Sequence, residues 1–265
     1  MCATCGVQYE ESGTNTPERC LICEDERQYI PDSGQRWLTS EELAEHHHNE
    51  FRRHEERLVG IGTSPSFAIG QRALLIQSPQ GNVLWDCISL LDEFTKRTVD
   101  ELGGIKAIAI SHPHYYSAMV DWADAFEATL YLHARDRQWA MRASPRIKFW
   151  EGDELELHDG MRLLNLGGHF DGGTVLHAPF LAGGKGALLT GDIIQVIPDR
   201  RFVSFMYSYP NLIPLPAATV GRMAERVSGL EFDRIHEAWW DRLIPTGAKE
   251  IVQRSADRYQ RAIRD

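Results

Sequence analysis

The sequence predicts an α/β layered sandwich carrying a small cysteine-bearing module. Three observations lead there. Short apolar runs bounded by turn residues recur from about residue 58 onward; helical stretches are interleaved with them; and residues 1–35 are polar, turn-rich and punctuated by cysteines. The chain has 265 residues, 43% of them apolar, which suits one large domain plus an appendage and is enough to bury a substantial core. Lys and Arg number 28 against 38 Asp and Glu, a net charge of −10, and no dense basic block stands out. Nucleic acid and anionic membrane surfaces are therefore poor partners. The opening MCATCGVQYEES lacks a basic stretch followed by an apolar one, and no apolar run approaches the roughly 18 residues of a membrane helix. The expectation is a soluble cytoplasmic protein acting on a small-molecule substrate, with its oligomeric state open.

In chain order, residues 1–35 hold too few apolar side chains to fold without a staple. Thr39 and Glu42 fit a capping box, and the charged stretch that follows reads as a solvated connecting helix over residues 36–57. Beyond residue 58, FAIG, RALLIQS and GNVLWD read as strands, the last two joined by a hairpin turn at Pro79–Gly81. KAIAI at 106–110 is a short buried strand, 118–127 a helix and 129–133 another strand. Residues 154–158 and 162–166 form a hairpin around Asp159-Gly160. Strands follow at 174–177, 187–189 and 233–235, with helices at 216–228 and 247–263. The expected organisation is a module over 1–35, a connector over 36–57 and a large domain over 58–265.

Cys2, Cys5, Cys20 and Cys23 form two C-x2-C pairs separated by fourteen residues. Four thiolates close a tetrahedral zinc with no exchangeable position, so this metal is structural. Its removal is expected to unfold residues 1–35 only. Gly6 follows the first pair where a tight turn requires it, and Cys87 reads as a small buried hydrophobe.

A second set of ligand types is scattered over four segments: His112-Pro-His114 after the 106–110 strand, His169 in a loop flanked by glycines, Asp192 ending the 187–189 strand, and His236. Proline favours an extended His112, and in an extended chain residues i and i+2 share a face, which aims both imidazoles at one ion. Asp86 ends a strand and is a candidate to hydrogen-bond the metal loop. Trp150, Trp239 and Trp240 line a pocket or simply pack. Arg201, Tyr207 and Tyr209, on an aromatic and proline-dense loop, are candidates to bind a substrate carboxylate or phosphate.

The order of these segments resembles the metallo-β-lactamase fold superfamily, whose pattern is a strand followed by H-x-H-x-D-H, a Gly-His loop, a strand ending in Asp, and a late His. The resemblance spans roughly residues 58–245 and implies an αββα four-layer sandwich. It implies that His112, His114 and His169 hold one metal, with Asp192 beside it and His236 as the late histidine. The chain departs from the pattern where the family's Asp and next His are Tyr116 and Ser117. Neutral Tyr and Ser are weak zinc ligands, so a single catalytic metal is expected, zinc by preference, with iron or manganese open.

The implied reaction is attack by metal-activated water on an ester, thioester, lactone or phosphoester, with Asp192 orienting the water, His236 moving a proton and Tyr116 donating to a developing oxyanion. Two other readings stay open. One is a catalytically decayed, metal-stabilised scaffold or partner-binding module. The other is redox chemistry at a di-iron site.

Overall fold

The computed structural model describes residues 1–10 and 16–263. Residues 11–15 of the expected module and the last two of the expected large domain thus lie outside the described residues. One seven-stranded sheet runs in sequence order: β1 (His48–Glu55), β2 (Leu58–Ser64), β3 (Arg72–Ile76), β4 (Val83–Trp85), β5 (Ala107–Ala109), β6 (Thr129–His133) and β7 (Ile147–Trp150). Its first four strands are antiparallel, and β4 to β7 are parallel.

The second sheet contains β8 (Glu154–Glu156), β9 (Arg162–Asn165), β10 (Thr174–Ala178) and β11 (Ala187–Leu189). Two short ribbons intervene, β12 (Gln195–Val196) with β13 (Val203–Ser204), and β14 (Met206–Ser208) with β15 (Ile213–Pro214). The sheet is completed by β16 (Arg234–His236), parallel to β11, and β17 (Leu243–Ile244). The helices are α1 (Leu21–Glu24), α2 (Ser40–His46), α3 (Glu93–Glu101), α4 (Met119–Ala125), the short turn α5 (Leu181–Gly184), α6 (Ala217–Ser228) and α7 (Ala248–Ala262). None is long and apolar enough to cross a membrane.

Period-two alternation explains the layering. On β3, Leu74 and Ile76 join the core between the sheets, whereas Ala73 and Leu75 join the core that includes Trp122 and Ala123 of α4. On β11, Ala187 and Leu189 face the inter-sheet core, and Leu188 faces the core beneath α6 and α7. Strands apolar on both faces need cover on both, and the result is a four-layer αββα sandwich.

Two expectations are corrected. The capping box is present, with Thr39 Oγ1 accepting from Glu42 N–H at 3.1 Å and Glu42 Oε2 from Thr39 N–H at 2.7 Å, but the helix stops at His46. HNEFRRHE is the edge strand β1, not a connecting helix: Asn49 is buried and Phe51 half-buried while Arg52 and Arg53 stay in water, and the charge of the edge leaves no clean apolar alternation to read. FAIG is a turn, not a strand. Ala68 adopts φ +52° and Gly70 φ +77°, and Gly70 N–H donates to Phe67 O at 2.9 Å.

The cysteine segment does not stand apart. Its four cysteines, Val7 and Ile22 are buried in one cluster with Tyr115, Tyr116 and α4. Gly6 takes φ +79°, and a Cβ there would come within 2.4 Å of Ser89 Oγ, so the turn requires glycine for both conformation and space.

Candidate metal centres

The four cysteine sulfurs lie within 4.8 Å of one another and are all buried. Cys2 Sγ and Cys5 Sγ sit 3.6 Å from Cys23 Sγ and Cys20 Sγ respectively. Tetrahedral zinc with bonds of about 2.3 Å needs sulfur edges of about 3.8 Å. The Cys5 thiol is pushed well above its ordinary range, first by the neighbouring thiols, beginning with Cys2, and then by burial. Four buried sulfurs cannot all ionise without a cation among them, and the donor set fits one.

The second centre is built on strand ends. After β5, His112 and Pro113–Tyr115 form a single 3-10 turn. The chain then passes β10 and β11 on the other sheet, whose adjoining loops carry His169 and Asp192. The three imidazole centroids of His112, His114 and His169 are 4.9 to 5.0 Å apart. His169 Nε2 lies 3.2 Å from His114 Nδ1, and His112 Nε2 lies 3.2 Å from Asp192 Oδ1. Nitrogen ligands at about 2.0 Å from a tetrahedral ion are separated by about 3.3 Å.

Backbone and hydroxyl groups orient the rings. His169 Nδ1–H donates to Tyr207 O at 2.6 Å, which leaves Nε2 with its lone pair. Ser111 Oγ sits 2.9 Å from His112 Nδ1, and Asp86 Oδ1 accepts Ser111 N–H at 2.7 Å, the support expected of Asp86. Gly191, with φ +54°, lets the Asp192 loop approach, because a Cβ there would fall 2.4 Å from Ser111 Oγ.

His112 Nε2 and Asp192 Oδ1 are buried and have no hydrogen-bond partner despite their short separation. Two unsatisfied atoms of this kind, beside neutral imidazoles, are what a cation resolves. Burial holds His112 and His114 well below the usual imidazole range, followed by the neighbouring His169, and brings His169 to about 4. Burial raises Asp192 to about 7, with the nearby Tyr115 hydroxyl opposing the rise. These residues fit a nitrogen-rich metal site with one carboxylate.

The cavity here is about 270 Å³ and is lined by His114, His169, Asp192, Tyr209 and Trp239, and from the cysteine segment by Thr4, Arg27, Gln28 and Tyr29. The Tyr209 hydroxyl donates to Asp192 O at 2.6 Å. Tyr207 instead gives its hydroxyl to Glu26 Oε1 at 2.8 Å, and Arg201 is exposed and forked onto Asp199; neither lines the cavity.

His236 is not brought to the other histidines. The parallel register pairs it with Leu189, so it faces the inter-sheet layer, where its Nε2–H donates to Glu55 Oε1 at 3.1 Å. Tyr116 packs in the core and does not line the cavity. Ser117 Oγ is engaged by Gln71 Nε2 at 2.9 Å.

Two residues near the site carried a readable signal that was missed. In a 3-10 turn residues i and i+3 eclipse, so Tyr115, not Tyr116, packs edge-on against His112, at 4.4 Å between centroids, with a buried hydroxyl that lacks a partner. Strand alternation after His236 turns Glu237 the other way, toward Asp192.

Glu237 is 1% exposed, both its oxygens lack partners, and burial and then Asp192 raise it to about 9. A carboxyl raised on folding stabilises fully below its ordinary pKa, and that contribution is lost as pH rises toward the folded value. Between pH 7 and 8.5, after Asp86, Asp136 and Asp192 have passed their values of about 7, Glu237 dominates the slope. In a His114→Ala background, stability is expected to fall across that window by up to about 1.4 kcal/mol per pH unit. Glu237→Gln should flatten the fall, as read by urea unfolding at each pH; an unchanged slope assigns it elsewhere.

The sandwich and its histidine loops define a metallo-β-lactamase fold. The crystal structure of the DIM-1 metallo-β-lactamase and the solved structure of TMB-1 each superpose with a TM-score of 0.60 at 14% identity, covering 81% and 82% of this chain and 98% and 99% of theirs. TTHA1623 in a di-iron-bound form gives a TM-score of 0.50 at 21% identity over 68% of this chain and 91% of that one. The chain belongs to the family of "Uncharacterized protein YmaE" of Bacillus subtilis (strain 168), with which it is 52% identical over 265 residues, covering 99% of this chain and 96% of that protein. No family model matches the chain.

Proposed function

We propose that the chain is a metal-dependent hydrolase with a mononuclear histidine centre, acting on a small ester, thioester, lactone or phosphoester. The observation that carries this reading is the convergence of three buried imidazoles with the Asp192 carboxylate at a cavity. His112, His114 and His169 hold the ion with Asp192 beside it. Zinc suits this donor set, with iron or manganese as substitutes. When bound, the ion supplies Lewis-acid polarisation of a water and of the scissile oxygen.

The protein's own groups do the rest. Asp192 orients the attacking water and takes its proton. The Tyr115 hydroxyl, buried beside Asp192, favours the charged form of that carboxylate. The ring of Tyr209, 5.6 Å from His169, and Trp239 form apolar walls that exclude water. A single ion is favoured because the two positions where the family pattern has its Asp and next His hold Tyr116, committed to the core, and Ser117, engaged by Gln71. The volume of about 270 Å³ and the net charge of −10 favour a small substrate over a polyanion or nucleic acid.

The test is turnover of an ester, a thioester, a lactone and a bis-aryl phosphate by the zinc-loaded chain. Hydrolysis of at least one, abolished by His114→Ala and reduced in Tyr115→Phe, is the expected result. Full metal loading with no turnover, joined to metal-dependent retention of a partner, would favour the scaffold reading instead.

A further inference from the structure

We propose that Arg27, carried by the four-cysteine module, is a positioning residue for His169, so that the module completes the histidine metal centre. The inference rests on the reading that the three histidines hold a metal. Arg27 closely follows the segment that carries Cys20 and Cys23: Cys20 is the N-cap of α1, Cys23 lies within it, and Asp25 is its C-cap. A metal gripping the two thiols therefore fixes where residues 25–27 lie.

Those three residues hold His169 from both sides. Asp25 takes the Arg27 guanidinium in a fork, Oδ1 on Nε at 2.5 Å and Oδ2 on Nη2 at 2.8 Å. The third nitrogen, Nη1, donates to His169 O at 3.2 Å. The flat face of the guanidinium lies 3.8 Å from the centre of the Phe170 ring, and that ring packs 4.9 to 5.5 Å from all three imidazoles. On the other side, Glu26 Oε1 accepts the Tyr207 hydroxyl at 2.8 Å, and Glu26 O accepts Ser208 Oγ–H at 2.8 Å and Asn211 Nδ2–H at 2.7 Å. Tyr207 O is the acceptor that fixes the His169 tautomer.

Beyond its contacts with the other two imidazoles, His169 is thus held by hydrogen bonds at its carbonyl and at Nδ1 that trace to Arg27 and to a loop Glu26 clamps. Only arginine supplies the fork, the third donor and the stacking face together. Surface charge pairing would explain Asp25 with Arg27 but not the bond to His169 O or the seat on Phe170. Both side chains of that pair are also largely buried, 12% and 16% exposed.

The test loads the full chain with cobalt, whose thiolate charge-transfer bands report the cysteine site and whose weaker visible bands report the histidine site. Affinity at each site is then measured by chelator competition. Arg27→Gln and Arg27→Lys are each expected to weaken the histidine site by about 10- to 100-fold and alter its visible bands, with the thiolate bands unchanged. Lysine keeps the charge and loses the fork, so wild-type behaviour in Arg27→Lys overturns the proposal. So does a lowered melting temperature with both affinity and spectrum intact, which is what packing alone would give. Should Arg27→Gln fail to fold, Asp25→Asn, which loosens the fork and keeps the guanidinium, carries the same expectation. A wild-type chain that shows thiolate bands alone overturns the metal reading itself; a wild type loaded at both sites with variants identical to it overturns only the role of Arg27.

Discussion

His114→Ala is expected to halve the metal content of the purified chain, from two ions to one, and to lower affinity at the histidine centre by more than about 100-fold. Loss of a partner that merely orients a ligand typically costs about 10- to 100-fold, and loss of a ligand costs more. His114 contributes one of three imidazoles, and its Nδ1 lies 3.2 Å from His169 Nε2, so its truncation takes a nitrogen donor out of the centre of the set. The cysteine site shares no atom with this set, so its ion should remain. Elemental analysis of the wild type, His114→Ala and Cys5→Ser separates the two centres. Two ions retained in His114→Ala, or three in the wild type, would defeat the mononuclear assignment.

Much of this architecture was legible because its signals are local. Short apolar runs marked β3, β4, β5 and β11, the Asp159-Gly160 turn marked a hairpin, and the spacing of Cys2, Cys5, Cys20 and Cys23 marked a thiolate cluster. Where the reading failed, a non-local partner decided the outcome. HNEFRRHE has a helix-like charge pattern and becomes strand only because β2 offers it an edge, from His48 opposite Ser64 to Glu55 opposite Leu58. His236 looks like a ligand in sequence, but the register against Leu189 turns it to Glu55.

The composition of the cavity wall was the least legible feature. Arg27, Gln28 and Tyr29 stand more than 80 positions before His114 in the chain, and nothing in their own spacing announces a site. Only the packing of the cysteine segment on α4 and on the His169 loop brings them there.

That packing leads to the second large effect, Cys5→Ser. Local reasoning confines the damage of losing this metal to residues 1–35, since those residues lack a core of their own. The contacts argue for a wider loss. Gln8 N–H donates to Ser117 O at 3.0 Å directly after the first histidine turn, and Ser89 Oγ–H donates to Gly6 O at 2.9 Å. Glu26 and Arg27 hold the 207–211 loop and His169. Serine is a poor zinc ligand, and without the ion the module has four buried polar atoms and little apolar mass to keep it seated. The expected loss is about 4 kcal/mol or more, a fall of roughly 10 °C in melting temperature for a chain this size. Hydrogen exchange should show protection lost in residues 1–35 and also in 167–173 and 205–212, while β3 to β6 stay protected. Those strands pair within a sheet that owes none of its hydrogen bonds to the module. Exchange that rises in residues 1–35 alone would mean that the module rests on the metal centre without supporting it.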